Sequence, residues 1–148
     1  MEKPARFGVG VFVFIFNKEF SKILLIRRNA EKRKKYGFSW GTPGGKLELG
    51  EYSIDGAVRE IGEETGINLD KKSVKLLEMI ELPNFTNDVH GFAFKYGAIA
   101  DEKVKVRLNK ESDGHKWFSI NNLPEDRIIH DNIPEMAKIA KEKFGKQA

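Results

Sequence analysis

Cysteine is absent from the 148 residues, which removes disulfides, thiol nucleophiles and cysteine-based zinc sites together. Long hydrophobic runs are absent too. The longest, residues 7–16, has ten residues and two glycines, whereas a bilayer-spanning helix needs roughly 20. The opening Met1-Glu2-Lys3-Pro4 lacks the positive-then-apolar layout of a signal peptide. No membrane partner and a cytoplasmic location are therefore expected. Charge of one sign is not concentrated either: 26 Lys and Arg stand against 22 Asp and Glu, a net charge of +4. A nucleic-acid partner is not expected from positive charge spread in this way. The one dense basic run is Lys32-Arg33-Lys34-Lys35. It reads as a solvated loop or as a loop that attracts a phosphate-rich small molecule.

What is present suits one domain over residues 1–148. A chain of this size buries about 68–70% of its unfolded surface without staples. The hydrophobic content of 40% excludes disorder, even beside 32% charged residues. Residues 7–16 are rich in β-branched and aromatic side chains and predict a strand buried on both faces, with 22–28 as its hairpin partner. A polar loop is expected over 29–37 and a short strand over 38–40, before the breakers Gly41-Thr42-Pro43-Gly44-Gly45. Further strands are expected at 74–82, 91–99, 104–108 and 116–119. A final helix is expected over 134–144, burying Met136, Ala137, Ala140 and Phe144.

The clearest helix is 53–65, with Ser53 as N-cap and Gly66 where a left-handed C-terminal residue is wanted. Ile54, Ala57, Val58, Ile61 and Thr65 form its apolar stripe. Strands, a helix, more strands and a last helix predict an α/β fold, a mixed sheet between helices. Beside the stripe, Glu60 and Glu64 lie one turn apart with Glu63 close by. No lysine at positions 64, 67 or 68 dilutes the charge. Such an arrangement is either a solvated acidic face or a set of hard oxygen ligands suited to Mg²⁺ or Mn²⁺.

The surrounding spacing favours the ligands. Gly45 is followed after five residues by Glu51, and after seven more by Arg59-Glu60-Ile61-Gly62-Glu63-Glu64-Thr65-Gly66-Ile67. This resembles the Nudix hydrolase signature, G-x5-E-x7-R-E-U-x-E-E-x-G-U with U aliphatic, and every fixed position is met. Pro43-Gly44-Gly45 stands where that family has its Pro-Gly-Gly loop, although Thr42 replaces the apolar residue common before the proline.

The resemblance implies a Nudix-type α/β/α sandwich and a Mg²⁺-dependent, or Mn²⁺-dependent, hydrolase cleaving a diphosphate bond in a nucleoside diphosphate derivative. Glu60, Glu63 and Glu64 would be metal ligands together with the Gly44 carbonyl. Gly45 would permit a tight approach, Arg59 would hold the Glu60 carboxylate, and Glu51 would support the loop or the metal's water shell. Glu111 stands six residues before Trp117-Phe118-Ser119, the place where MutT-type members carry a further ligand. Asp113 is its neighbouring competitor, and a loop carboxylate paired with Lys110 or Lys116 is the plain alternative. The general base would be Glu60, Glu63 or Glu111.

Two substrate classes stay open. Asn132-Ile133-Pro134 resembles the Asn-x-Pro segment with which MutT-type enzymes read a purine, which implies a purine nucleoside triphosphate, ordinary or oxidised. Equally, Asp131 or Asn132 can cap the last helix. Arg27 and Arg28 match an arginine pair of the same group and are candidates to face phosphate or base; Phe85 and Trp40 are candidate stacking surfaces or core residues. Pro83 lies sixteen residues beyond Ile67, as in ADP-ribose hydrolases, so ADP-ribose or another nucleotide sugar is the alternative substrate. His90 and His115 have no metal-ligand spacing and receive no role. A non-catalytic nucleotide sensor usually lacks some of the glutamates, and none is missing here. An RNA-processing member would need a further domain or a basic stripe. A second copy of the chain, paired through the sheets, is a candidate partner.

Overall fold

Val11, Val13 and Ile15 alternate along one strand with Phe14 and Phe16, and the two sets are fully buried in two separate hydrophobic clusters. A two-residue period sends successive side chains to opposite faces, so this strand is a wall between two cores. The structure is a computed structural model and describes residues 3–127 and 131–145. In chain order the elements are β1 (Arg6–Phe16), β2 (Lys22–Arg28), α1 (Ala30–Tyr36), β3 (Trp40–Gly41), β4 (Gly44–Lys46), α2 (Ser53–Thr65), a 3-10 turn (Lys71–Ser73), β5 (Lys75–Leu82), β6 (Val89–Ile99), β7 (Ser112–Ser119) and α3 (Ile133–Gly145).

The sheet runs β3-β2-β1-β6-β5, with β4 paired to β1 and β7 to β2. It is mixed, because β1 and β6 run parallel along their whole length while the other pairs are antiparallel. Ala57 and Ile61 of α2 pack with Val11, Val13 and Leu24 on one face. Ile133, Met136, Ala137 and Ala140 of α3 pack with Phe14, Ile23 and Leu25 on the other. The expected α/β/α sandwich is therefore observed.

Several expectations need correction. Residues 29–37 are not a loop. They form the short helix α1, which buries no residue and so has no apolar stripe to betray it. Its signal is in the caps: the Asn29 side chain accepts from the Lys32 N–H, and Gly37 takes a left-handed φ of 81°. Ser53 does not cap α2. Tyr52 holds the cap position without a side-chain bond, and the Ser53 hydroxyl is bonded to that of Tyr96. Gly66 closes the helix with φ 73°, as expected. Residues 104–108 form no strand; Val104 and Val106 pack onto the α2-side core, and that packing explains their alternation without a ladder. The strand expected at 116–119 starts earlier, at Ser112. Phe144 is only partly buried. The first half of β1 is not buried on both faces, and Phe7 is 72% exposed.

Candidate active site

The site is assembled where β4 delivers two glycines against α2. Each has a steric reason to be glycine. A Cβ on Gly44 would strike the Val11 carbonyl and stand 2.8 Å from the Phe12 Cα, and one on Gly45 would stand 2.6 Å from the Glu60 carboxylate. Gly44 thus leaves room for the backbone of β1, and Gly45 leaves room for the Glu60 carboxylate of α2. The approach also lets the Gly44 N–H donate to Glu64 Oε2 at 2.8 Å.

On the other side of α2, Arg59 gathers the remaining acids. It donates to both Glu51 oxygens at 2.7 and 3.1 Å, to Glu60 Oε1 at 3.1 Å, to Glu63 at 3.3 Å and to the Lys46 carbonyl at 3.1 Å. Glu51 in turn accepts from the Glu48 N–H at 2.8 Å, which folds the β4–α2 loop. The arginine's bonds hold the Glu51 carboxyl below the usual range, and the acids raise the arginine in return. Arg59 is thus held charged and fixed, whereas lysine lacks the fork to serve several carboxylates at once.

Glu64 is buried, 8% exposed. Burial pushes its carboxyl up to about 8, against the help of the Gly44 N–H, and the negative charges of Glu60 and Glu111 add to the rise. Burial raises Glu60 as well, with Glu63 and Glu111 contributing and Arg59 opposing. Glu111 therefore sits close enough to be felt by both carboxylates of α2, although some fifty positions separate them in the chain. Its own ion pair is neither Lys110 nor Lys116 but Lys32, at 3.1 Å.

A dication suits this donor set in kind. Several carboxylates, one of them buried, share this corner with Arg59 and Lys32, and all offer hard oxygen. The side chains do not yet converge: among the described residues no group of three acidic or histidine side chains is arranged to hold a metal. Glu60 and Glu63 point to Arg59, so chelation requires them to turn from it.

The remaining candidates separate. Arg27 and Arg28 point apart. Arg27 is engaged by Asp113 at 2.7 Å, whereas Arg28 lies over the rings of Tyr36 and Phe38 and interacts with Glu64, Glu111 and Asp131. Asp113 also holds Arg33 at 2.9 Å and is thereby committed to cations. Trp40 packs edge-on against Phe118 in the α3-side core. Phe85 is 46% exposed. Asn132 has an exposed side chain and a φ of 54°; its carbonyl accepts from the Met136 N–H at 3.0 Å, the backbone role of a cap. His90 bonds Glu81 at 2.6 Å.

In the sequence Lys32 stands only within a basic run expected to be a loop, solvated or attracting phosphate, and Lys95 receives no role. Lys95 is 4% exposed on β6. Its ammonium lies 3.2 Å from Glu78 and donates to the Asp131 carbonyl at 3.1 Å. Asp131 is itself 6% exposed, and burial drives its carboxyl up to about 7 despite Lys95, Arg127 and Arg28. A lysine inside a strand gives no sequence signal of such burial. The Asn29–Gly37 cap pair was the available signal for Lys32.

A family model described as the NUDIX domain matches residues 6–139. A Bacillus subtilis protein named "Putative 8-oxo-dGTP diphosphatase" is 36% identical over 115 residues, 78% of this chain and 68% of that one. An ADP-ribose pyrophosphatase of Methanocaldococcus jannaschii is 32% identical over 114 residues, 76% of this chain and 63% of the other. Of several further curated relatives the chain spans only about a quarter of the length. Among solved structures, a MutT NUDIX hydrolase from Burkholderia pseudomallei superposes with a TM-score of 0.72 at 29% identity, covering 90% of this chain and 97% of that one.

Proposed function

The chain belongs to the NUDIX family, and on that premise we propose that it hydrolyses the diphosphate bond of a nucleoside diphosphate derivative. The substrate we assign first is a purine nucleoside triphosphate, ordinary or oxidised, converted to a nucleoside monophosphate and pyrophosphate. The observation that carries this reading is the packing of the Gly44–Gly45 strand against Glu60 and Glu64, with Glu64 bonded to the Gly44 N–H at 2.8 Å and the charge of Glu111 felt by both. A bound Mg²⁺ would neutralise the phosphate oxygens and lower the pKa of a water. Glu60, Glu63, Glu64, Glu111 and the Gly44 carbonyl are the groups we assign to hold it.

The chain's own residues do the rest. Arg59 holds Glu60 and Glu63 in orientation, and Glu51 anchors Arg59. A carboxylate among Glu60, Glu63 and Glu111 takes the proton of the attacking water. The water oxygen bonds to phosphorus, the bond to the bridging oxygen breaks in line, and pyrophosphate carries away the electron pair. Arg28, fixed by two rings and facing the carboxylates, is the group assigned to phosphate or base. Asn132, with its amide exposed, offers the donor and acceptor that a purine edge requires.

ADP-ribose is the second reading, supported by the half-exposed Phe85 just beyond β5 and by the relative of that name. A screen with Mg²⁺ of ordinary and oxidised nucleoside triphosphates, ADP-ribose, other nucleotide sugars and dinucleoside polyphosphates decides between them. A purine triphosphate signal is expected. An ADP-ribose signal alone would move the assignment to the loop at 83–85, and silence throughout, with metal bound, would leave a nucleotide sensor.

A further inference from the structure

Helix α1 places a cation at the carboxylates that no part of the proposed mechanism uses. We infer that Lys32 is a phosphate-binding residue, held on Glu111 in the free protein and transferred to the substrate's phosphate chain when Glu111 turns to the metal. The inference rests on the hydrolase reading above.

The two partners are set firmly against each other. Asn29 binds the loop of Glu111 twice and caps α1 once. Its N–H donates to the Glu111 carbonyl at 3.0 Å, its side-chain amide donates to the Lys110 carbonyl at 2.9 Å, and its side-chain oxygen accepts the Lys32 N–H at 2.9 Å. The backbones of Lys32 and Glu111 are therefore fixed relative to each other, and only side chains need to move.

The neighbouring arginines already have partners. Arg27 and Arg33 both hold Asp113, at 2.7 and 2.9 Å. Arg28 is pinned over Tyr36 and Phe38 at 4.8 and 4.4 Å. Arg59 serves Glu51, Glu60 and Glu63. Lys32 has a different kind of contact: its ammonium meets Glu111 Oε1 at 3.1 Å, with the two side chains 34% and 46% exposed. An ion pair this open adds little to stability, so exchanging partners costs little. Lys32 also interacts favourably with the buried Glu64, which sets its charge at the mouth of the carboxylate group. A flexible stem with a compact charge can follow a phosphate in a way a stacked guanidinium cannot.

Two opposite effects identify this role. A cation that only occupied the place of the metal would compete with it, and a cation that only positioned Glu111 would help it. Lys32→Gln and Lys32→Arg should be compared in three measurements. For Mn²⁺ binding without nucleotide, followed by electron paramagnetic resonance, Lys32→Gln is expected to bind at least as tightly as the native protein. For inorganic tripolyphosphate binding in the presence of Ca²⁺, followed by calorimetry, it is expected to weaken about tenfold, with Lys32→Arg recovering most of the loss. On the best substrate, KM should rise about tenfold while kcat stays within about threefold. Weaker Mn²⁺ binding with tripolyphosphate affinity unchanged would overturn the inference in favour of a positioning lysine, and no change in either would reduce the contact to a solvated pair. Because the first two measurements need no turnover, a protein that hydrolyses nothing would defeat the hydrolase reading while leaving Lys32 decided.

Discussion

The backbone N–H of Gly44 meets the carboxylate of Glu64 at 2.8 Å across twenty residues of sequence. One bond thereby joins the glycine strand to the acidic helix and supplies a fixed dipole that opposes, without cancelling, the burial that raises this carboxyl to about 8. Nothing but glycine at that strand position leaves room for the β1 backbone at Val11 and Phe12.

Glu64→Gln retains an oxygen to accept the Gly44 N–H and removes only the charge. The fold should survive, with a melting temperature equal to or above that of the native protein, because a buried carboxylate no longer has to ionise. Turnover should fall about a hundredfold or more, the scale of losing one charge-stabilising group in an active site. Steady-state kinetics beside a thermal melt checks both; near-native kcat in this variant defeats the hydrolase assignment to Glu64.

The two glycines should fail in different ways when changed to alanine. The new methyl of Gly44→Ala meets the backbone of Val11 and Phe12, which cannot yield without shifting β1, so a loss of about 1–3 kcal/mol is expected. That of Gly45→Ala meets the end of the Glu60 side chain at 2.6 Å, which can swing away. A melting temperature within a few degrees of native, with kcat reduced about tenfold or more, is expected there. Equal melting temperatures for the two variants would contradict the difference.

Asp131 gives the pH dependence of stability a defined sign. Burial raises its folded pKa from 3.8 to about 7, so between those values the folded state binds more protons than the unfolded one. Stability from this group is therefore full below about pH 4 and declines as pH rises toward 7. The charges facing it are Lys95 on β6, Arg28 on β2 and Arg127. Asp131→Asn should match the native protein near pH 4 and exceed it near pH 8 by an amount on the order of a few kcal/mol. Denaturant melts at the two pH values test this, and a constant difference would show that Asp131 titrates alike in both states.

The sequence alone determined most of the frame, wherever a strong local pattern coincided with burial. Residues 22–28 and 53–65 were bounded correctly because their apolar spacing matches the faces they bury. Glu51, Arg59, Glu60, Glu63 and Glu64 were legible as a set because their spacing is a signature in its own right. Helix α1 was not legible by periodicity, since it buries nothing and depends on two caps. The alternation at 104–108 misled for the opposite reason, as it records packing without strand pairing.

Only the tertiary structure decided which distant residues face the carboxylates. The adjacent Arg27 and Arg28 look equivalent in the chain, yet one is bound by Asp113 and the other turns toward Glu64 and Glu111. Glu111 finds Lys32 and not its chain neighbours because Asn29 ties two remote backbones together. Lys95 on β6 reaches the Asp131 carbonyl and Glu78 only in the folded chain. Local spacing encodes the side chains on one helix or strand, but the electric environment of a buried carboxyl is summed over elements that meet only in the folded chain.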